Sequence, residues 1–238
     1  MTVDSNGIVL KHTLFGDNDI IVKILTENLG LISFMVKGGK KSNKRKYLQP
    51  LMIVSISFKY NIKRNIQYLN KITLKEVTSE ILNNPKKSII SLFLCEIISK
   101  SLKEGSEDKE AYDFLFNQIL WLNKKNNSIL NFDVWFLAHF SKILGISPNF
   151  YDVNKNSVKY FNPESGSFSD STESRNWDHN KSLILFNLLN IEADKLKDFH
   201  LNNNLTKFVL KELINYYDYH LNNLNLNKCL DVYNSLKI

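Results

Sequence analysis

The sequence predicts an α+β protein of two domains, a small five-stranded β-barrel followed by an all-helical domain that carries a small irregular insert. Three observations predict it. Residues 52–60 alternate, with Met52, Val54, Ile56, Phe58 and Tyr60 on one side and Ser55, Ser57 and Lys59 on the other, the signature of a half-buried strand. Four more extended stretches, separated by turn-forming clusters, fall within the first eighty residues. Past Pro85 the apolar period lengthens from two residues to about 3.6, the helical value.

The strands follow in order. Residues 7–14 are rich in β-branched and aliphatic side chains, and Gly16-Asp17-Asn18-Asp19 then turns the chain into a second strand over 20–26. Asn28-Leu29-Gly30 tolerates the positive φ of a tight connection and leads into 31–37, a hairpin signal. Residues 52–60 form the fourth strand, 61–65 turn, and 66–77 supply the fifth. Five short strands in about eighty residues suit an OB-type barrel, with an open sandwich as the alternative. The domain boundary is placed between residues 80 and 81.

The helical domain, 81–238, begins with an apolar run over 88–103 that Gly105 is expected to stop. In a second helix, 109–123, Tyr112, Leu115, Phe116, Ile119 and Leu122 recur at helical spacing. Ser128 is the expected cap of a third, where Phe132, Trp135, Phe136, His139, Phe140 and Ile143 form one stripe. Residues 183–189, 205–221 and 229–236 extend the set. The polar stretch 147–177 is too long for an ordinary connection and reads as an insert with β character at 157–161.

The net charge of +7 is unevenly placed. Residues 1–80 hold thirteen Lys/Arg against six Asp/Glu, and the remaining chain holds eighteen of each. Six of the thirteen cations, Lys37, Lys40, Lys41, Lys44, Arg45 and Lys46, crowd into ten residues punctuated by Gly38, Gly39, Ser42 and Asn43. Such a segment repels itself unless a polyanion relieves it, and its field attracts phosphate backbones. A solvated loop that serves only solubility is the plain alternative.

Enzyme signatures fail. The glycines before Lys40-Lys41-Ser42 lack the spacing of a phosphate loop. Asp17 and Asp19 read as turn formers rather than cation ligands. His12, His139, His179, His200 and His220 show no metal spacing with the two cysteines, Cys95 and Cys229, and His139 reads as a core residue on its stripe. No nucleophile has a recognisable local motif. Two cysteines in apolar helical patterns give no disulfide framework, so a reducing compartment is expected. The chain opens without the pattern of a signal peptide and has no apolar run of spanning length, so a soluble, cytoplasmic, nucleoid-associated protein is expected, without a membrane partner.

Aromatic residues interleave with the cations. Tyr47, Tyr60 and Tyr68, with Phe34 and Phe58, occur on or beside the strands that flank the basic loop. Surfaces that hold single strands combine cations for phosphates with rings on which bases stack. Phe58 reads as core. Tyr47 and Tyr60, at strand ends, are open to either role. Lys59, Lys63 and Arg64 extend the basic surface. The candidate DNA contacts are therefore Lys37, Lys40, Lys41, Lys44, Arg45, Lys46, Tyr47, Lys59, Tyr60 and Arg64.

Gly7-Ile8-Val9-Leu10-Lys11, Asp19-Ile20-Ile21-Val22, Thr26, Gly30, Lys37-Gly38, Lys41 and Leu48-Gln49-Pro50 stand in an order and spacing that resemble the bacterial recombination mediator family RecO. The likeness is densest over 7–60 and returns through 132–151 and 160–168. The resemblance implies an OB barrel and a helical domain, binding of single- and double-stranded DNA, and strand annealing. It also implies action with RecR, loading of RecA onto DNA coated by single-strand-binding protein, and docking of that protein's acidic C-terminal tail on the helical domain. Many family members carry four cysteines in the part that matches 147–170, forming a zinc ribbon. Tyr160-Phe161-Asn162-Pro163-Glu164-Ser165-Gly166-Ser167-Phe168 resembles the middle of that insert without the cysteines. No zinc or other cofactor is expected, and local packing of Tyr160, Phe161 and Phe168 is expected to hold the insert. The rival reading is a non-catalytic adaptor whose basic loop meets an acidic protein or an anionic lipid.

Overall fold

The computed structural model of the chain describes residues 2–150, 160–170, 175–222 and 224–236. They fall into two compact units, Met1–Lys125 and Asn126–Leu236. The first holds five strands, β1 (Thr2–Phe15), β2 (Asp19–Thr26), β3 (Gly30–Val36), β4 (Ile53–Lys59) and β5 (Ile66–Glu76), and three helices, α1 (Ser79–Asn83), α2 (Pro85–Ser101) and α3 (Lys109–Leu122). The sequence places the boundary between residues 80 and 81, yet α1 to α3 group with the strands.

The strands close a barrel in the order β1-β2-β3-β5-β4. All neighbours are antiparallel except β3 and β5, where Met35 lies opposite Tyr68 in a parallel register. Closure depends on the length of β1, whose first half pairs with β4 and whose second half pairs with β2. Gly7 belongs to both ladders, opposite Val54 and Thr26. The alternating side chains of 52–60 behave as read: Val54, Ile56 and Phe58 enter a core with Val9, Ile20 and Phe34, while Lys59 stays exposed. Phe34 and Phe58 meet edge to face at 4.8 Å.

The first unit is tied across its layers by charge. Lys11 of β1 pairs with Glu96 of α2 at 2.7 Å, and Lys23 of β2 pairs with Glu104 at 2.6 Å. Gly105 does not stop α2, which ends at Ser101 with Leu102 extended. With φ of +75°, Gly105 instead donates its amide to the Leu31 carbonyl at 2.9 Å, so its turn lays the α2–α3 connection along β3.

The second unit contains α4 (Phe132–Ile143), α5 (His179–Asn190), α6 (Asn203–His220) and α7 (Asn227–Leu236), with a two-stranded hairpin of β6 (Tyr160–Asn162) and β7 (Ser167–Ser169). Ser128 is not the cap of α4. That position belongs to Asn131 at φ 58°, whose side chain is turned inward to donate to the Phe199 carbonyl at 2.7 Å, and Ser128 Oγ accepts from Leu130 N. Nor is α4 buried along one stripe: nine of its residues, Phe132–Phe136 without a break among them, are buried because α5 and α6 both pack on it. Polar tips of large side chains latch the layers together. Tyr217 Oη donates to the Leu137 carbonyl at 2.6 Å, Trp135 Nε1 to Ile191 at 2.8 Å, and Tyr233 Oη to Asp133 Oδ2 at 2.8 Å.

In the insert, Phe161 and Phe168 face each other across the hairpin at 5.0 Å and are buried, while Tyr160 is half-buried. The packing is wider than the insert itself. Phe168 meets Phe150 and Phe186, and Phe161 meets Trp177 and Tyr216, so residues of α5 and α6 complete the aromatic core. Of the β character expected at 157–161, residues 157–159 lie outside the described residues. Among the described residues no helix is long and apolar enough to cross a membrane.

Candidate nucleic-acid interface

The basic segment is fixed to the barrel at several points. It leaves β3 through Gly38, whose φ of +64° suits glycine and whose amide donates to Asp19 Oδ1 at 2.8 Å. Lys40 closes on the β1–β2 turn twice, donating its amide to Asn18 O at 3.0 Å and its Nζ to Gly16 O at 2.9 Å. A 3-10 helix, Asn43–Tyr47, follows. Ser42 caps it by accepting from Lys44 N, and Lys44, Arg45 and Lys46 lie in its last turn, where cations suit the helix dipole. Leu48 is then buried in the barrel core and gives its carbonyl to His12 Nδ1 at 2.8 Å. Leu51 N donates to Val9 O at 2.8 Å, which returns the chain to β1.

This anchoring leaves the charges outward. Lys37, Lys41, Arg45 and Lys46 are exposed, while Lys40 and Lys44 are half-buried. Lys44 Nζ reaches the Asn70 carbonyl of β5 at 2.8 Å. Among the described residues none of the six cations forms an ion pair with a carboxylate. Asp19, an acid that hydrogen-bonds to the segment, engages a backbone amide. The turn-former reading of Asp19 is thus the one its geometry follows.

The remaining candidates gather on neighbouring strands. Lys59, at the end of β4, is exposed and lies opposite Tyr68 of β5. Arg64 stands in the 61–65 turn with its guanidinium 5.2 Å from the Tyr68 ring centre. Lys37 Nζ lies 5.0 Å from the same ring. Tyr47 and Tyr60 are placed differently. Both are half-buried against the barrel core, Tyr60 edge to face with Phe58 at 6.3 Å, and Lys46 Nζ covers the Tyr47 ring at 5.0 Å.

Among the described residues of the barrel, the rings that face solvent are Tyr68, 41% exposed, and Phe15, 52% exposed at the β1–β2 turn. Sequence reasoning placed Tyr68 near the basic loop without selecting it, and passed over Phe15. The alternation of β5 held the usable signal: Gln67 and Leu69 point inward, so Tyr68 between them points outward.

Comparison with known proteins joins this geometry to a family. Residues 1–77 match the family described as Recombination protein O N terminal, and residues 82–228 match Recombination protein O C terminal. The chain belongs to the RecO family. Relatives named DNA repair protein RecO align along nearly the whole chain. That of Azobacteroides pseudotrichonymphae is 29% identical over 241 residues, covering 99% of both chains. Those of Flavobacterium psychrophilum and Flavobacterium johnsoniae are 27% and 28% identical, each covering 98% of both. A role in DNA repair and recombination follows from membership of RecO. Among the described residues no group of three or more His, Cys, Asp or Glu side chains is arranged to hold a metal ion. Cys95 is buried in α2, and that burial pushes its thiol up to about 12, which makes it a poor ligand and nucleophile at neutral pH.

Proposed function

We propose that this chain is a DNA-binding recombination mediator of the RecO type, which grips DNA strands with the basic segment and brings complementary strands together. In this reading Lys37, Lys40, Lys41, Lys44, Arg45 and Lys46 neutralise phosphates, and Lys59 and Arg64 extend the track. Phosphate contacts position a strand without reading its sequence, so binding is sequence-tolerant. The finer family role, loading RecA with RecR onto DNA coated by single-strand-binding protein, is part of the same proposal. So is docking of that protein's acidic tail on the helical residues. No step of it requires a catalytic group or a cofactor.

The supporting observation is that, among the described residues, six cations lack carboxylate partners on a segment that the fold nevertheless holds in place. Such cations have counterions to release when phosphates replace them. If six phosphates of a single strand are neutralised, log K falls against log salt with a slope of about −4. With Lys40, Lys41, Lys44 and Arg45 replaced by Ala, two of the six cations remain and the slope flattens to about −1.5. Fluorescence anisotropy across a salt titration measures both. An unchanged slope rejects the segment as the contact surface. Retention that is weak at every salt, and vanishes near physiological ionic strength, marks an adaptor instead. Elemental analysis of the purified chain checks the cofactor side: zinc below stoichiometry is expected, and one zinc per chain overturns it.

A further inference from the structure

Tyr68 is the ring on which the loops of the basic face converge. It stands on β5 between Met35 of β3 and Lys59 of β4, and it is the most exposed tyrosine among the described residues of the barrel. Lys37 arrives from the end of β3 and Arg64 from the β4–β5 turn, each resting its charge about one ring-contact distance from the centroid, at 5.0 and 5.2 Å. Contacts of this kind at an exposed site are worth about two- to fivefold in an equilibrium. A nucleobase stacked on an aromatic ring is worth about five- to 150-fold. The base therefore wins the exchange.

The geometry points to Tyr68 as a selector for unpaired DNA: one base of a single strand stacks on its ring in place of a cation, and the displaced Lys37 or Arg64 moves to the adjoining phosphate. Both side chains are long and exposed, so the charge stays with the strand while the ring changes partner. In a duplex both faces of each base are covered by its neighbours, whereas the phosphates remain accessible. The basic segment consequently grips either form, and Tyr68 distinguishes them. This inference deepens the DNA-contact reading above and rests on it.

The test uses the full chain and a short dye-labelled oligonucleotide in three forms: single-stranded, annealed to its complement, and single-stranded with abasic residues. Tyr68→Ala is expected to weaken single-strand binding by at least about fivefold and to leave duplex binding within about twofold. Tyr68→Phe keeps the ring and is expected to keep the affinity. Tyr68→Leu keeps apolar bulk on this exposed strand position and is expected to behave as Tyr68→Ala, which guards against a fold effect of the smaller residue. Wild-type protein should lose on the abasic strand the factor that Tyr68→Ala loses on the normal one, and Tyr68→Ala should lose little more.

Equal weakening of both DNA forms by Tyr68→Ala, no weakening of either, or an abasic penalty that is the same with and without the ring overturns the proposal. The four-residue alanine substitution in the basic segment separates this failure from a deeper one. If that substitution weakens both DNA forms while Tyr68→Ala fails to discriminate, only the Tyr68 inference falls. If it weakens neither form, the DNA-contact reading falls with it.

Discussion

Asp19 Oδ1 accepts a 2.8 Å hydrogen bond from the amide of Gly38, so an acid on β2 holds the start of the basic turn. On the DNA-contact proposal, its charge and its hydrogen bond are expected to act on DNA binding in opposite directions. As a negative charge it repels phosphate, while as an acceptor it fixes the loop that offers the cations. Asp19→Asn and Asp19→Ala remove the same charge, but only Asn keeps an acceptor. Both variants are expected to bind DNA with a steeper salt dependence than wild type, and Asp19→Ala to bind about two- to fivefold more weakly than Asp19→Asn, the worth of one partly exposed hydrogen bond. Parallel anisotropy titrations of the two variants measure that ratio, and a ratio of one would show that the tether does not matter.

Gly30 offers a prediction about the fold itself. Its φ is +66°, and a Cβ built on it would overlap the Ser106 carbonyl in the segment that lies along β3. Gly30→Ala therefore combines a left-handed backbone penalty of about 1–2 kcal/mol with an overlap against backbone that has little room to yield. A loss of about 3 kcal/mol in urea unfolding followed by circular dichroism is expected. Gly16, also at positive φ but with nothing within 4 Å of its Cβ position, is the control. Gly16→Ala should cost about 1–2 kcal/mol, the backbone part alone.

His139 sets a pH dependence in the second unit. Burial, and then the nearby Lys142 charge, lower its pKa from 6.5 to about 4, and its Nε2 lies 3.0 Å from the Leu188 carbonyl beside the Trp135 ring. The unfolded chain thus binds a proton that the folded chain refuses between these two values. The stability associated with neutral His139 is complete above pH 6.5 and is lost progressively as pH falls toward 4. Partial exposure of the ring limits the loss to about 1–2 kcal/mol. His139→Gln can still donate to the Leu188 carbonyl and does not titrate. Thermal melts at pH 7 and pH 4.5 should show a smaller difference for this variant than for wild type. An equal difference would assign the acid sensitivity elsewhere.

The barrel was legible wherever burial follows local alternation. Residues 52–60 display a period of two, and the turns at 16–19, 28–30 and 61–65 carry residues that tolerate tight backbone. The first residues of β1 were not legible. Thr2-Val3-Asp4-Ser5-Asn6 has no apolar alternation, and it is extended because β4 needs a partner to close the barrel, with Thr2 opposite Lys59. The parallel contact of β3 with β5 was equally hidden, since pairing between distant segments leaves no local pattern. Two punctuation signals misled for a related reason. Gly105 and Ser128 are good terminators in isolation, but both are used by tertiary contacts, Gly105 at Leu31 and Ser128 in a turn ahead of Asn131.

The candidate site was legible in charge and less so in aromatics. Six cations within ten residues are visible in any reading, because no fold can bury so many without partners. Which tyrosine faces outward depends on the strand register. Tyr47 and Tyr60 lie nearer the basic segment in sequence, yet both pack half-buried against the barrel core, Tyr60 edge to face with Phe58. Tyr68 lies farther along the chain and reaches the basic face through its register with Met35 and Lys59.

The closed strand order β1-β2-β3-β5-β4 has a consequence for protein partners. Every strand of the barrel has a neighbour on both sides, so the edges left open are short stretches where a strand outruns its partner, as β5 does beyond Tyr68 on the β3 side. Room for an extended peptide to add as a sixth strand is limited to such stretches. Elsewhere a protein that engages the barrel must do so through side chains and loops. On the DNA-contact proposal, small polyanions directed at the lysine-rich turn, rather than β-strand mimics, are the expected competitors at the barrel.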